Sequence, residues 1–161
     1  MGWLLRMNRL VLDSSVLIAA AQPSEPSHDA AHRFVVRLRR EAAAKRALAF
    51  APPELWLEVH VVERRLARSR HSTSPGAALA GLEIELVAPA GVGELTTFLE
   101  HLTLRMRGKR PFANATDLVY LWAAWSVGAT VVTLDEGLLQ HHQLVCDVTR
   151  PQHLLLDPAI R

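Results

Sequence analysis

Residues 114–135 read Asn-Ala-Thr-Asp-Leu-Val-Tyr-Leu-Trp-Ala-Ala-Trp-Ser-Val-Gly-Ala-Thr-Val-Val-Thr-Leu-Asp and hold a complete structural unit. Asn114 suits a helix N-cap, and Asp117 follows three residues later, where a carboxylate answers the cap and the helix dipole. An apolar run continues to Val127, and Gly128 supplies the left-handed residue that ends helices. Residues 130–133 are β-branched and apolar, as in a short buried strand, and Asp135 lies just past its end. The unit is therefore helix, tight turn and strand, with one carboxylate at the helix start and one at the strand exit. In an open parallel sheet those two ends face the same ligand crevice. Leu118, Leu121, Trp122 and Trp125 leave the helix no polar side, so it is expected to be buried on nearly all faces.

Two further acids are partners for Asp117 and Asp135. Arg9 to Leu12 is a short apolar strand closed by Asp13, and Glu58 falls in the helix after Pro52-Pro53. Each aspartate also has a plain structural reading: Asp13 caps a helix starting at Ser14, Asp135 caps one at Glu136, and Asp117 serves the dipole. Glu58 is harder to explain in that way. Leu55, Val59 and Val62 share its helix face at i+3 and i+4 spacing, and a glutamate in an apolar stripe must be neutral, paired or bound to a cation. Glu54, at i−4, is a candidate accessory ligand or an exposed first-turn acid. Glu63 lies on another face beside basic residues and is expected to be solvated. Four acids converging without cations would repel and raise one another's pKa. A divalent cation resolves this, and hard oxygen ligands without thiolate point to Mg²⁺ or Mn²⁺ rather than zinc. Such an ion activates water and neutralises a phosphodiester under attack.

The pattern resembles the PIN domain, specifically the small ribonuclease toxins of the VapC type. The residues that carry the likeness are Leu-Val-Leu-Asp13-Ser-Ser, Pro-Pro-Glu-Leu-Trp-Leu-Glu58-Val, Ala-Thr-Asp117-Leu-Val-Tyr-Leu and Val-Val-Thr133-Leu-Asp135, spanning residues 9 to about 145. Their order, spacing and element context carry it rather than any one motif. The resemblance implies a metal-dependent endoribonuclease, the toxin of a type II toxin–antitoxin pair, that leaves a 5′-phosphate and a 3′-hydroxyl. It implies Asp13, Glu58 and Asp117 as the core catalytic and metal-binding acids, Asp135 as the fourth and more distant one, and Ser15 and Thr133 as orienting hydroxyls. A cognate antitoxin is the implied protein partner.

At 161 residues the chain is read as one domain, residues 1–161, with half its residues apolar and enough length for a proper core. Its single cysteine, Cys146, excludes an internal disulfide framework and a cysteine-based zinc site, and fits a reducing cytoplasm. The first 21 residues superficially resemble a signal peptide, but Asp13-Ser14-Ser15 interrupts the apolar segment, and no other apolar run approaches a membrane span. A soluble protein without membrane association is expected. The formal net charge is +2 while the sequence pI is about 9.2. Basic residues cluster at Arg37-Arg40, Lys45-Arg46, Arg64 to Arg70 and Arg105 to Arg110. The first two clusters read as solvated helix faces. Arg105, Arg107, Lys109 and Arg110 lead into Asn114 and Asp117, so they are expected to border the acids and hold RNA phosphates.

Along the chain, a short helix is expected to Ala21, a turn over 22–26, and a long helix capped by Ser27 with Ala30, Ala31, Phe34, Val35, Leu38 and Ala42 as its apolar stripe. A strand over 48–51 precedes a helix that starts near Pro53 and runs to about Arg68. A polar loop over 69–76, helical character over 76–82, a strand over 84–87, a helix over 93–107 and a loop over 108–111 lead into the opening unit. A short helix over 136–142 and a last strand over 144–146 complete it. This alternation predicts a three-layer α/β/α fold around a parallel sheet of four to five strands. His28 and His32 have zinc-like spacing but no third ligand, and read as a solvated face. His141-His142 read as surface. Trp56, Trp122 and Trp125 supply more apolar helix surface than a small domain covers, so a homodimer is expected.

Two other classes compete. A non-catalytic RNA-binding or scaffold domain of the same fold conflicts with retention of all four acids. A phosphoacceptor needs paired acids after the first strand and a late lysine; here Asp13 is followed by Ser14-Ser15, and no lysine follows Lys109. The dehalogenase-type phosphatases need a second acid where Ser15 stands.

Overall fold

The computed structural model describes residues 7–66, 76, 79–106 and 115–156. Its centre is a five-stranded, all-parallel sheet in the order β3-β2-β1-β4-β5, with helices on both faces. The strands are β1 (Asn8–Leu12), β2 (Ala47–Ala51), β3 (Ile84–Leu86), β4 (Thr130–Val132) and β5 (Val148–Thr149). The helices are α1 (Ser14–Ala21), α2 (His28–Ala43), α3 (Glu54–Leu66), α4 (Val92–Arg105), α5 (Ala115–Val127), α6 (Glu136–Leu139) and α7 (Pro151–Leu156). β1 is central, pairing in parallel with β2 through Asn8–Ala47 to Val11–Phe50 and with β4 through Leu10–Thr130 to Leu12–Val132. Its second half, Leu10 to Leu12, is covered on both faces and is a continuous apolar run rather than an alternating one, with Val11 and Leu12 fully buried.

β1 sits where the strand order reverses, beside β4. The carboxyl ends of two neighbouring strands at such a reversal leave a crevice, because their outgoing connections depart to opposite sides. α5 packs on β1, β2 and β4, while α2 packs across α1 and α7 and α1 also meets α3. Within α5, Tyr120, Leu121, Trp122, Ala123 and Ala124 are buried, so the nearly all-round apolar sequence is matched by burial. Gly128 adopts φ 63°, the left-handed turn that sends the chain straight from α5 into β4.

The C-terminal part departs from expectation. Residues 144–146 are bends; the strand is β5, at 148–149. Its neighbours fix the register: Val131 N donates to Asp147 O at 2.9 Å and Thr133 N to Thr149 O at 3.0 Å. Gln143 at φ 60° breaks the extended path, and Leu144 is buried as a core plug from a turn rather than as a strand residue. The helix expected over 136–142 stops at Leu139 and continues as turns. His141 is buried and not on the surface, and His142 Nδ1 accepts from Val148 N at 3.0 Å. α7 was not anticipated, although Pro151 opens it at the position where a missing N–H costs nothing. Glu63 is not simply solvated: it accepts from Gly76 N at 2.7 Å. Ser27 stands at the N-cap of α2 without a side-chain cap bond. Of the loop expected over 69–76, only Gly76 is described, and it is helical; the loop expected at 108–111 and the cap at Asn114 lie outside the described residues.

Candidate active site

Asp13 directly follows β1 and takes the N-cap position of α1 in extended geometry, yet its side chain makes no capping bond. The plain structural reading therefore does not describe it. Instead two hydroxyls converge on its Oδ2: Ser15 Oγ donates from the first turn of α1, and Thr133 Oγ1 donates at 2.6 Å from the exit of β4. The backbone locks this arrangement. Leu134 N donates to Ser15 Oγ at 3.0 Å, Asp135 N to Thr133 Oγ1 at 2.9 Å, and Asp13 N to Val132 O at 3.0 Å. The adjacency of β1 and β4 thus becomes a hydrogen-bonded network around one buried carboxylate. Burial pushes the Asp13 carboxyl up to about 6; the Ser15 and Thr133 hydrogen bonds act against the rise, and the nearby charges of Glu58 and Asp135 add to it.

Asp117 lies in the first turn of α5 and is buried. Burial raises its pKa, and the charges of Asp135 and Glu58 raise it further. Asp135 does cap: its Oδ1 accepts from Gly137 N at 2.6 Å and Leu138 N at 3.3 Å at the start of α6. A Cβ placed on Gly137 would stand 3.0 Å from Asp135 Oδ1 and 3.8 Å from Asp117 Oδ2, so the glycine keeps open the space flanked by these two acids. Glu58, half-buried on α3, is paired: Tyr120 donates its hydroxyl to Glu58 Oε2 at 2.7 Å.

Asp13, Glu58, Asp117 and Asp135 are therefore electrostatic neighbours at one end of the sheet, with Ser15 and Thr133 on Asp13. The basic run is a different matter. Arg105 Nη1 donates to the carbonyl of Leu144 at 3.1 Å, and Arg107, Lys109 and Arg110 lie outside the described residues. Glu54 keeps a buried Oε2 with no hydrogen-bond partner among the described residues. Ser14 and Tyr120 are the residues that sequence reasoning missed; a tyrosine one turn after Asp117 in an apolar helix was the available signal. His28 instead engages the Ala19 carbonyl through Nδ1 at 2.8 Å. Burial pushes the Cys146 thiol up to about 12, and the residue lines a separate cleft with Met7, Asn8 and Gly128.

The donors are all oxygens of carboxylates and hydroxyls, a set that suits a hard divalent cation. Among the described residues, no group of three or more His, Cys, Asp or Glu side chains is arranged to clasp an ion directly.

No protein-family profile and no curated protein matches the chain. Among solved structures it is similar to a chain in the crystal structure of VapBC2 from Rickettsia felis bound to a DNA fragment from their promoter, with a TM-score of 0.58, 14% identity, and 88% of this chain and 98% of that chain covered. It is also similar to PAE2754 from Pyrobaculum aerophilum, with a TM-score of 0.57, 18% identity, and 93% and 88% covered. At these identities the likenesses show a shared fold, the one that the sequence resemblance implied.

Proposed function

We propose that this chain is a cytoplasmic, Mg²⁺- or Mn²⁺-dependent endoribonuclease, the toxin of a toxin–antitoxin pair. The observation that carries the reading is the convergence of Asp13, Glu58, Asp117 and Asp135, with Asp13 and Asp117 driven toward protonation by burial and by neighbouring carboxylates. Such a cluster is poorly stabilised without a cation and well suited to one. The acids would hold the ion jointly with water, some of them through a water molecule, as is the habit of Mg²⁺. When bound, it would supply Lewis-acid polarisation of a phosphodiester and a more acidic bound water.

The chain's own residues prepare that chemistry. Ser15 and Thr133 occupy Asp13 Oδ2 and so fix the carboxylate before substrate arrives. Asp135 is held by two α6 amides. Gly137 keeps side-chain atoms away from Asp135 and Asp117. The likeness to VapBC2 supports an antitoxin as protein partner, and the apolar residues exposed on α3 support a homodimer.

The test is incubation of the purified protein with RNA, with Mg²⁺ or Mn²⁺ and with EDTA. Cleavage is expected with either ion, lost in EDTA and lost in Asp117→Asn, which keeps the fold. Cleavage that survives both EDTA and Asp117→Asn would remove the metal-nuclease reading. Binding of RNA without cleavage would assign the domain a non-catalytic role.

A further inference from the structure

Tyr120 lies on α5 one turn after Asp117, with its ring in the core and only 2% of its surface exposed. A phenol that deeply buried needs a partner for its O–H. It finds one on another element: the hydroxyl donates to Glu58 Oε2 on α3 at 2.7 Å, a bond strengthened by the acceptor's charge. The Ser14 hydroxyl, in the first turn of α1, sits against the same phenol. Asp13 is treated in parallel, because its Oδ2 receives Ser15 and Thr133. The two adjacent serines of α1 thus serve the two acids, Ser15 directly on Asp13 and Ser14 through Tyr120 on Glu58. Glu58 needs such a tether more than the aspartates do. Its side chain is longer, and it is half-exposed.

We propose that Tyr120 is a positioning residue for Glu58: the phenol, fixed by its ring in the core and braced by Ser14, holds the glutamate carboxylate within the acidic pocket so that the cation meets a preorganised ligand. The proposal rests on reading the pocket as a cation-dependent nuclease site. The energetic reason is conformational: an untethered glutamate would have to surrender its rotamer freedom when the ion binds, and the hydrogen bond removes that freedom in advance.

The experiment is Tyr120→Phe, which deletes one oxygen and keeps the ring, studied by Mn²⁺ calorimetry, by RNA cleavage kinetics and by a metal-free crystal structure beside the wild type. The expected result is a loss of about ten-fold in Mn²⁺ affinity or in kcat, with KM for RNA unchanged. The melting temperature stays close to wild type, and the Glu58 carboxylate spreads over several rotamers. Ser14→Ala should produce a smaller loss in the same direction. In a Glu58→Ala background, adding Tyr120→Phe should change Mn²⁺ affinity no further. An equal loss in that background would overturn the proposal, because the ring would then act through general packing. So would a Tyr120→Phe protein with wild-type Mn²⁺ affinity and Glu58 in its wild-type place. If the wild type itself takes up no Mn²⁺, the nuclease reading fails, and the Tyr120→Phe crystal structure still decides the tether: an unmoved Glu58 overturns it.

Discussion

Asp13 shows how a carboxylate can accept two hydroxyls on one oxygen and still be held uncomfortably. Both hydroxyls favour its charged form, yet burial outweighs them and lifts the carboxyl from 3.8 to about 6. A folded pKa above the unfolded one gives stability that is complete below about 4 and is lost as the pH rises through about 6. Asp13→Asn keeps an acceptor for Ser15 and Thr133 but removes the charge. In EDTA at pH 7 the variant should therefore melt higher than wild type, by an amount of the order of 2 kcal/mol, with no cleavage activity. A lower melting temperature would contradict the burial argument. Glu41 has the opposite sign: its bidentate pair with Arg46, at 2.7 and 3.0 Å, lowers its pKa, so its contribution is present above the unfolded value and disappears as the pH falls through the folded one. Gly137 supplies a second test at this scale. Alanine suits a helix better than glycine, by up to ~1 kcal/mol, but its Cβ would push on the Asp135 carboxylate that caps α6, so the two effects should offset and stability should change by less than about 1 kcal/mol. The same crowding of Asp135 and Asp117 should lower cleavage by about ten-fold with the melting curve little changed. Full activity in that variant would show that the substrate passes elsewhere.

At the scale of elements, α5 does two jobs with one sequence. Its first turn delivers Asp117 and Tyr120 to the pocket, and its middle closes the core over β1, β2 and β4. Trp122 is 1% exposed, and its indole N–H has no hydrogen-bond partner among the described residues. Trp122→Ala should cost about 3–5 kcal/mol of stability, through lost burial and an unfilled cavity. Trp122→Phe gives up an unpaired donor along with the volume, so it should cost less than about 2 kcal/mol. Urea unfolding of the pair gives the comparison, and a Trp122→Phe loss well above about 2 kcal/mol would mean that the indole N–H makes a bond the fold depends on. The end of the chain is where element-level reading was misled. Leu144 to Cys146 are apolar enough for a strand, but their apolarity serves a buried turn, and pairing with β4 selects residues 148–149 instead.

At the scale of the whole molecule, the strand order makes the site, by setting the carboxyl ends of β1 and β4 side by side. The opposite concern is what the fold leaves uncovered. On α3, Trp56 is 44% exposed and Leu57 68%, with Val61 beside them; on α4, Val92, Leu95, Leu99 and Leu104 are exposed as well. A lone domain seldom leaves so much large apolar surface in water. Light scattering should therefore report a dimer at micromolar concentration, and Trp56→Glu with Leu57→Glu should shift it to monomer without unfolding it. A monomeric wild type would assign that surface to another partner. No helix among the described residues is long and apolar enough to cross a membrane.

The local chemistry was legible in residue order. Gly128 at the end of an apolar run, β-branched residues after it, and acids at element boundaries fix helix, turn and strand through short-range sterics and burial, and that was enough for the parallel α/β architecture and for the four acids to be singled out. The sequence also marked Glu58 as an acid needing a partner, because no glutamate rests unpaired in an apolar stripe. It did not say who the partner is. Tyr120 stands 62 residues away, and Thr133 stands 120 residues from Asp13; such pairs exist only once β1 lies against β4 and α5 crosses them. Tertiary structure likewise decided that Asp135 caps α6 while Asp13 caps nothing, that Arg105 turns to the Leu144 carbonyl, that His141 is buried, and that the final strand begins at Val148. Each of these depends on which backbone groups and charges become neighbours across the fold, and sequence separation places no limit on that.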